Sequence, residues 1–143
     1  AAAIAVGAGV GYYYSRPERT AEKVLTAVYT VDDAEIQRRR EAIDNRTFDT
    51  YMRERCGGAV TDKCTEGMIA ACALYYGATP AKVESIKFSP IDKATSDTVS
   101  FQYTAVFDDD SDVKERIGHV VMKKENGKWC VDSFATKSVT KAD

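Results

Sequence analysis

The sequence predicts an α+β fold, with helices in the first half of the chain packed on one face of a curved antiparallel sheet of about four strands formed by the second half. Three observations predict it. Apolar residues recur at helical spacing as far as about residue 76, and from Val83 onward the period changes to two. Between two alternating runs stands Asn126-Gly127, the strongest hairpin signal in the chain, suited to a two-residue type I′ turn. At 143 residues the chain is one domain's worth, enough for a single core.

The opening stretch, Ile4-Ala5-Val6-Gly7-Ala8-Gly9-Val10-Gly11, resembles a glycine-rich dinucleotide loop only superficially. Its third glycine, Gly11, comes one position early, and Tyr12 stands where close helix packing requires no side chain. A membrane helix explains the same residues better: eleven uncharged positions, then Tyr12, Tyr13 and Tyr14 as an interfacial aromatic belt, then Arg16. Eleven residues are too few to span a bilayer. Residues 1–14 are therefore expected to be the end of a membrane-spanning or anchoring segment that starts upstream, and residues 15–143 the folded domain. A small-residue arm packed on the domain or on a neighbour is the other reading.

Ser15-Arg16-Pro17-Glu18 reads as a helix start, with Ser15 as N-cap and Glu18 completing a capping box. Ala21, Val24, Leu25 and Val28 then mark one apolar face of a helix running to about Val31. Asp32-Asp33-Ala34-Glu35 repeats the cap signature ahead of a more polar helix. Its apolar contacts are Ile36, Ala42 and Ile43, and Arg38, Arg39 and Arg40 are expected mostly in solvent. Phe48, Tyr51 and Met52 give a short third helix ended by Gly57-Gly58. Thr61 caps a fourth, on which Cys64, Met68, Cys72 and Tyr75 share a face, and Gly77 and Pro80 stop it.

The strands are expected over Val83 to Phe88, Val99 to Phe107, Ile117 to Lys124 and Trp129 to Phe134. The turn sets a register in which Glu125 faces Lys128, Lys124 faces Trp129, Met122 faces Val131 and Val120 faces Ser133. Trp129, Val131, Met122 and Val120 then share one face, and Cys130, Phe134, Val121 and His119 the other. Both faces carry apolar side chains, so the face with His119, Val121 and Phe134 is expected to meet a partner, a second copy or a terminal segment.

Net charge is −2 and the cations are scattered, which disfavours nucleic acid as a partner. One histidine and four cysteines without CxxC spacing leave no recognisable zinc site. Cys56 and Cys64 flank Gly57-Gly58, and a bridge closing that short loop would add about 2–3 kcal/mol. Cys72 with Cys130 is the second pair, although the register turns Cys130 away from the helices if Trp129 faces them. Asp108, Asp110 and Asp112 copy the first three ligand positions of an EF-hand loop. Val113 then replaces its glycine and His119 its final Glu, so a solvated turn is expected.

The long first helix "ERTAEKVLTAVYTVD", the strand "VSFQYTAVFDDD" and the final hairpin "GHVVMKKENGKWCVDSF" together resemble the NTF2-like (cystatin-like, cone-shaped) superfamily. They are most similar to its extracytoplasmic domains carried behind one membrane helix in bacterial envelope proteins. The resemblance covers roughly residues 16 to 138. It implies a cell-membrane protein with its domain on the extracytoplasmic side. The expected role is a non-catalytic interaction or assembly module, working as a homodimer or with an envelope protein partner. The alternative is a small apolar ligand bound in the cone, lined by Tyr51, Met68, Tyr75 and Trp129. An isomerase- or dehydratase-like enzyme ranks third. No Asp/His pair can be assigned to the cone, so no catalytic residue, metal or cofactor is expected.

Overall fold

A computed structural model describes residues 16–75, 79–91 and 94–141, without the side chains of residues 69–75. The expected anchor at residues 1–14 lies outside the described residues. Four helices come first: α1 (Pro17–Tyr29), α2 (Asp33–Asp44), α3 (Phe48–Arg55) and α4 (Asp62–Tyr75). Four strands follow, β1 (Val83–Pro90), β2 (Thr98–Phe107), β3 (Val113–Glu125) and β4 (Lys128–Lys141), in an antiparallel sheet of order β1-β2-β3-β4. The fold is α+β, with the helices packed on one face of this curved, open sheet.

The helices form where spacing and caps dictate. Ala21, Val24, Leu25 and Val28 are wholly buried along one side of α1. Its N-cap is Arg16, with no side-chain cap bond, rather than Ser15, which lies outside the described residues; Arg16 instead pairs with Glu18 at 2.8 Å. Asp32 caps α2 as predicted, accepting from the Glu35 backbone N–H at 2.7 Å. Gly57 and Gly58, at φ +67° and +76°, take the left-handed turn that ends α3. Thr61 then accepts from the Cys64 N–H at 3.2 Å and starts α4.

The hairpin register near the turn is the expected one: Glu125 pairs with Lys128, Lys124 with Trp129 and Met122 with Val131. Beyond it the expectation fails by one residue. A bulge between Val121 and Met122 leaves Asp132 as the extra residue of β4, so Val120 faces Phe134 and Val121 faces Ser133. A one-residue slip reverses the face of everything after it. Phe134, expected on the outer face, therefore points to the helices and meets the Tyr29 ring edge-on at 6.0 Å. The bulge is held from outside the sheet. The Thr61 hydroxyl donates to the Asp132 carboxylate at 2.8 Å, and Lys63 lies 3.6 Å from it.

Residues 59–61 run along the β4 edge, with Thr61 N–H donating to the Val131 carbonyl at 3.0 Å and Val131 N–H to the Ala59 carbonyl at 2.9 Å. The β4 edge at Val131 is thereby covered, which protects part of an otherwise open strand edge. In β1 a second irregularity, between Val83 and Ser85, keeps Val83, Ile86 and Phe88 on the core side. Strands β3 and β4 run well beyond the expected limits, to Val113 and Lys141.

Candidate functional site

Between the helices and the sheet, the described side chains pack into a core. Tyr29, Tyr103, Phe48, Leu25, Met52, Met68 and Met122 are each under 2 % exposed. The two tyrosine hydroxyls share a hydrogen bond at 2.5 Å, and the Tyr103 hydroxyl also reaches the Ala135 carbonyl at 3.3 Å. Burial, reinforced by Tyr29, pushes the Tyr103 phenol far above its ordinary value. Replacing Tyr103 by Phe removes this buried hydrogen bond, and a urea melt should show a loss of about 1–2 kcal/mol.

Of the four residues expected to line a pocket, the side chains of Tyr51, Met68 and Trp129 are among those described, and they stand in different surroundings. Met68 is a core residue. Tyr51 packs at the margin of the core with its hydroxyl donating to the Glu35 carboxylate; burial and this bond push the phenol up to about 12. The Tyr75 side chain lies outside the described residues. Trp129 stands at an opening, a groove of about 990 Å³ where α1 begins. Trp129, Phe101, Val99 and Pro17 give its apolar surface, and Arg16, Lys124 and Lys128 its cations. Glu18 is the lining carboxylate. The Lys124 ammonium lies over the indole at 5.2 Å, a cation–π contact.

The sequence reading missed a buried polar cluster under α1. Arg39, expected in solvent, is only 4 % exposed, and Glu35 only 3 %. Glu35 accepts from Arg39 Nε at 2.7 Å and lies 3.2 Å from Arg55 Nε. Arg39 also donates to the Val28 and Ala27 carbonyls at 2.9 and 3.0 Å, and Arg55 to the Ala27 and Thr30 carbonyls at 2.9 and 2.8 Å. The last carbonyls of α1 thus receive two guanidinium groups from the next two helices, and Glu35 balances their charge. This cluster joins three helices.

On the outer face of the sheet, pairing aligns His119 with Gln102 and Ala135, Val121 with Ser100 and Ser133, and Ile117 with Thr104 and Ser138. His119 is exposed and Val121 half-buried. No Asp, Glu, Lys or Arg stands among these nine residues; Lys87, Glu115 and Lys123 occupy the margin of the face. The expected face is present with Phe134 removed from it.

Cys56, Cys64 and Cys130 are free, buried thiols, so the expected Cys56–Cys64 and Cys72–Cys130 bridges are not formed at these residues. The Cys72 side chain is outside the described residues. Cys130 sits opposite Lys123 as the register predicts, yet is buried beside the strand edge that residues 59–61 cover. Burial pushes Cys56 up to about 11 and Cys64 up to about 12, the latter with help from Cys56. Two outcomes are expected. Iodoacetamide should modify these two thiols in the native protein far more slowly than in urea. Because a raised thiol pKa favours the folded state only while the thiol stays protonated, this stabilisation is full below about pH 9. It should fall as pH rises toward 11–12, measured as the urea midpoint.

Asp108, Ser111 and Lys82 close a turn: the Ser111 hydroxyl donates to Asp108 at 2.7 Å and accepts from the Lys82 N–H at 3.0 Å. This is the turn that the sequence implied, and among the described residues no group of three or more His, Cys, Asp or Glu could hold a metal ion. Among the described residues no helix is long and apolar enough to cross a membrane. No protein-family model matches the chain, and no curated protein matches it.

Proposed function

We propose that this chain is a non-catalytic interaction module of the NTF2-like type, anchored in a bacterial cell membrane by its N-terminal segment. Its domain stands on the extracytoplasmic side and pairs with a second copy through the outer sheet face. The observation that carries the reading is the charge-free centre of that face, Gln102, Thr104, Ile117, His119 and Val121, inside a charged margin. Depletion of charge at the centre with a polar rim is the composition of a protein interface. Four strands about 4.8 Å apart and about ten residues long give a face of roughly 600 Å² in projection. That is commensurate with the roughly 800 Å² per partner of a standard interface. The core supports the same reading, since among the described residues packed side chains lie between the helices and the sheet.

Light scattering of the full chain in mild detergent tests the pairing. Two chains per particle are expected, and Val121→Asp should give single chains with an unchanged circular dichroism spectrum. A wild-type protein that is monomeric at every concentration would overturn it. The groove at Trp129 favours a second reading, a small apolar ligand held at the mouth of the cone rather than inside it.

A further inference from the structure

The groove beside Trp129 lies at the point where the N-terminal segment joins the domain. Arg16 is both the N-cap of α1 and a wall of the groove. On the anchored reading, on which this inference rests, Tyr12–Tyr14 mark the headgroup level of the membrane. Only Ser15 separates Tyr14 from Arg16, and two residues reach about 7 Å at most. No linker is left to lift the groove away. Whatever lines it is therefore held at the depth of the phospholipid phosphates.

The lining suits that position. Arg16, Lys124 and Lys128 outnumber the carboxylate of Glu18, which is itself paired with Arg16. Across the turn Glu125 faces Lys128, which leaves Lys124, resting on the indole, as the lining cation least offset by carboxylates. Trp129 is amphipathic, and long cationic side chains keep their charge in the headgroup layer while their stems lie on apolar surface. The Asn126-Gly127 turn, with φ of +53° and +77°, carries this lip outward as an exposed hairpin tip.

We propose that the groove is a phospholipid-headgroup site, in which Arg16, Lys124 and Lys128 receive a lipid phosphate while Trp129 rests at the boundary with the acyl chains. The domain then stands on its membrane in one orientation, groove down, instead of swinging from its anchor.

Trp129 is the chain's one tryptophan, so its fluorescence reports the groove alone. The full chain is reconstituted into phosphatidylcholine vesicles with and without phosphatidylglycerol, and flotation reads anchoring independently of the groove. Expected are flotation in both, quenching of Trp129 by phospholipid brominated near the headgroup end of its chains, and protection from aqueous iodide, each stronger with phosphatidylglycerol. Lys124→Gln/Lys128→Gln should lower the docked-to-undocked ratio by roughly fivefold per lysine at low salt, and leave flotation unchanged.

Flotation with Trp129 open to iodide and untouched by bromolipid would overturn the groove assignment while sparing the anchor. Failure to float would overturn the anchored reading and this inference with it. Protection of Trp129 from iodide by soluble dodecyl phosphate, with no quenching by bromolipid in vesicles, would assign the groove to a free ligand, and overturn it also.

Discussion

Glu35→Ala is expected to be among the most damaging single substitutions in this protein, costing about 3–5 kcal/mol in a urea or thermal melt. Glu35 is the carboxylate against which Arg39 and Arg55 are drawn, at 2.7 and 3.2 Å, and Arg39 has almost no exposed surface through which water could take over. Removing Glu35 leaves two guanidinium groups facing each other below the end of α1. It also takes the acceptor from Tyr51. A domain of this size has roughly 5–15 kcal/mol in hand, so the loss is a large fraction of the whole. Glu35→Gln keeps the shape and one acceptor oxygen and should cost less, but more than Arg55→Lys, because Arg55 is 28 % exposed at its side chain. A double-mutant cycle between Glu35 and Arg39 should return a coupling of about 1–3 kcal/mol. Independence of the two substitutions would contradict the cluster.

Gly118→Ala is expected to cost about 3 kcal/mol or more, for a reason unrelated to backbone freedom. Gly118 pairs with Tyr103 across β2 and β3 and with Thr136 across β3 and β4. A Cβ there would press on the Ala135 carbonyl oxygen and lie 2.5 and 2.6 Å from the Tyr103 hydroxyl oxygen and its ring carbon. The ring could shift; the Ala135 backbone could not without undoing the irregular pairing between Ile117 and Gly118. Gly118 is therefore the space into which the Tyr103 side chain folds to reach Tyr29. Tyr103→Phe should recover only a small part of the loss, because the contact with backbone persists. A Gly118→Ala protein with an unchanged urea midpoint would show that β4 can move away freely.

Most of the architecture was legible because it rests on local rules. The caps at Asp32 and Thr61, the left-handed Gly57-Gly58 and the Asn126-Gly127 turn act through their own few residues, and each is where the sequence puts it. Phe134 was misplaced because a bulge is invisible to alternation: the extra residue, Asp132, is fixed by Thr61, 71 positions away. The solvated reading of Arg39 failed for a related reason. The helix Asp33–Asp44 has a weakly apolar face, and a Glu35/Arg39 pair at i,i+4 resembles an ordinary surface pair. One signal pointed inward. The last turn of α1 contains no basic residue and no glycine follows it, so its carbonyls needed donors from elsewhere. The groove at Trp129 was legible only in that one residue, since its other walls come from the start of α1, the β1–β2 connection and the hairpin tip.

The segment 59–61 that runs along β4 has a consequence for the order of events during synthesis. Helices α1 to α3 leave the ribosome long before β4, and N-terminal parts of a chain have the first opportunity to fold. Yet Thr61 has its partners at Val131 and Asp132, about half the chain later. Until the last hairpin is made, the connection into α4 has no strand to lie on, and the open edge of β3 has no neighbour. Closure of the domain is thereby deferred to its final strand, and pairings so distant in sequence favour slow, late consolidation over stepwise assembly from the N-terminus. A nascent chain halted before Lys128 would present unlatched helices and an unpaired edge together, the state in which it most needs a chaperone.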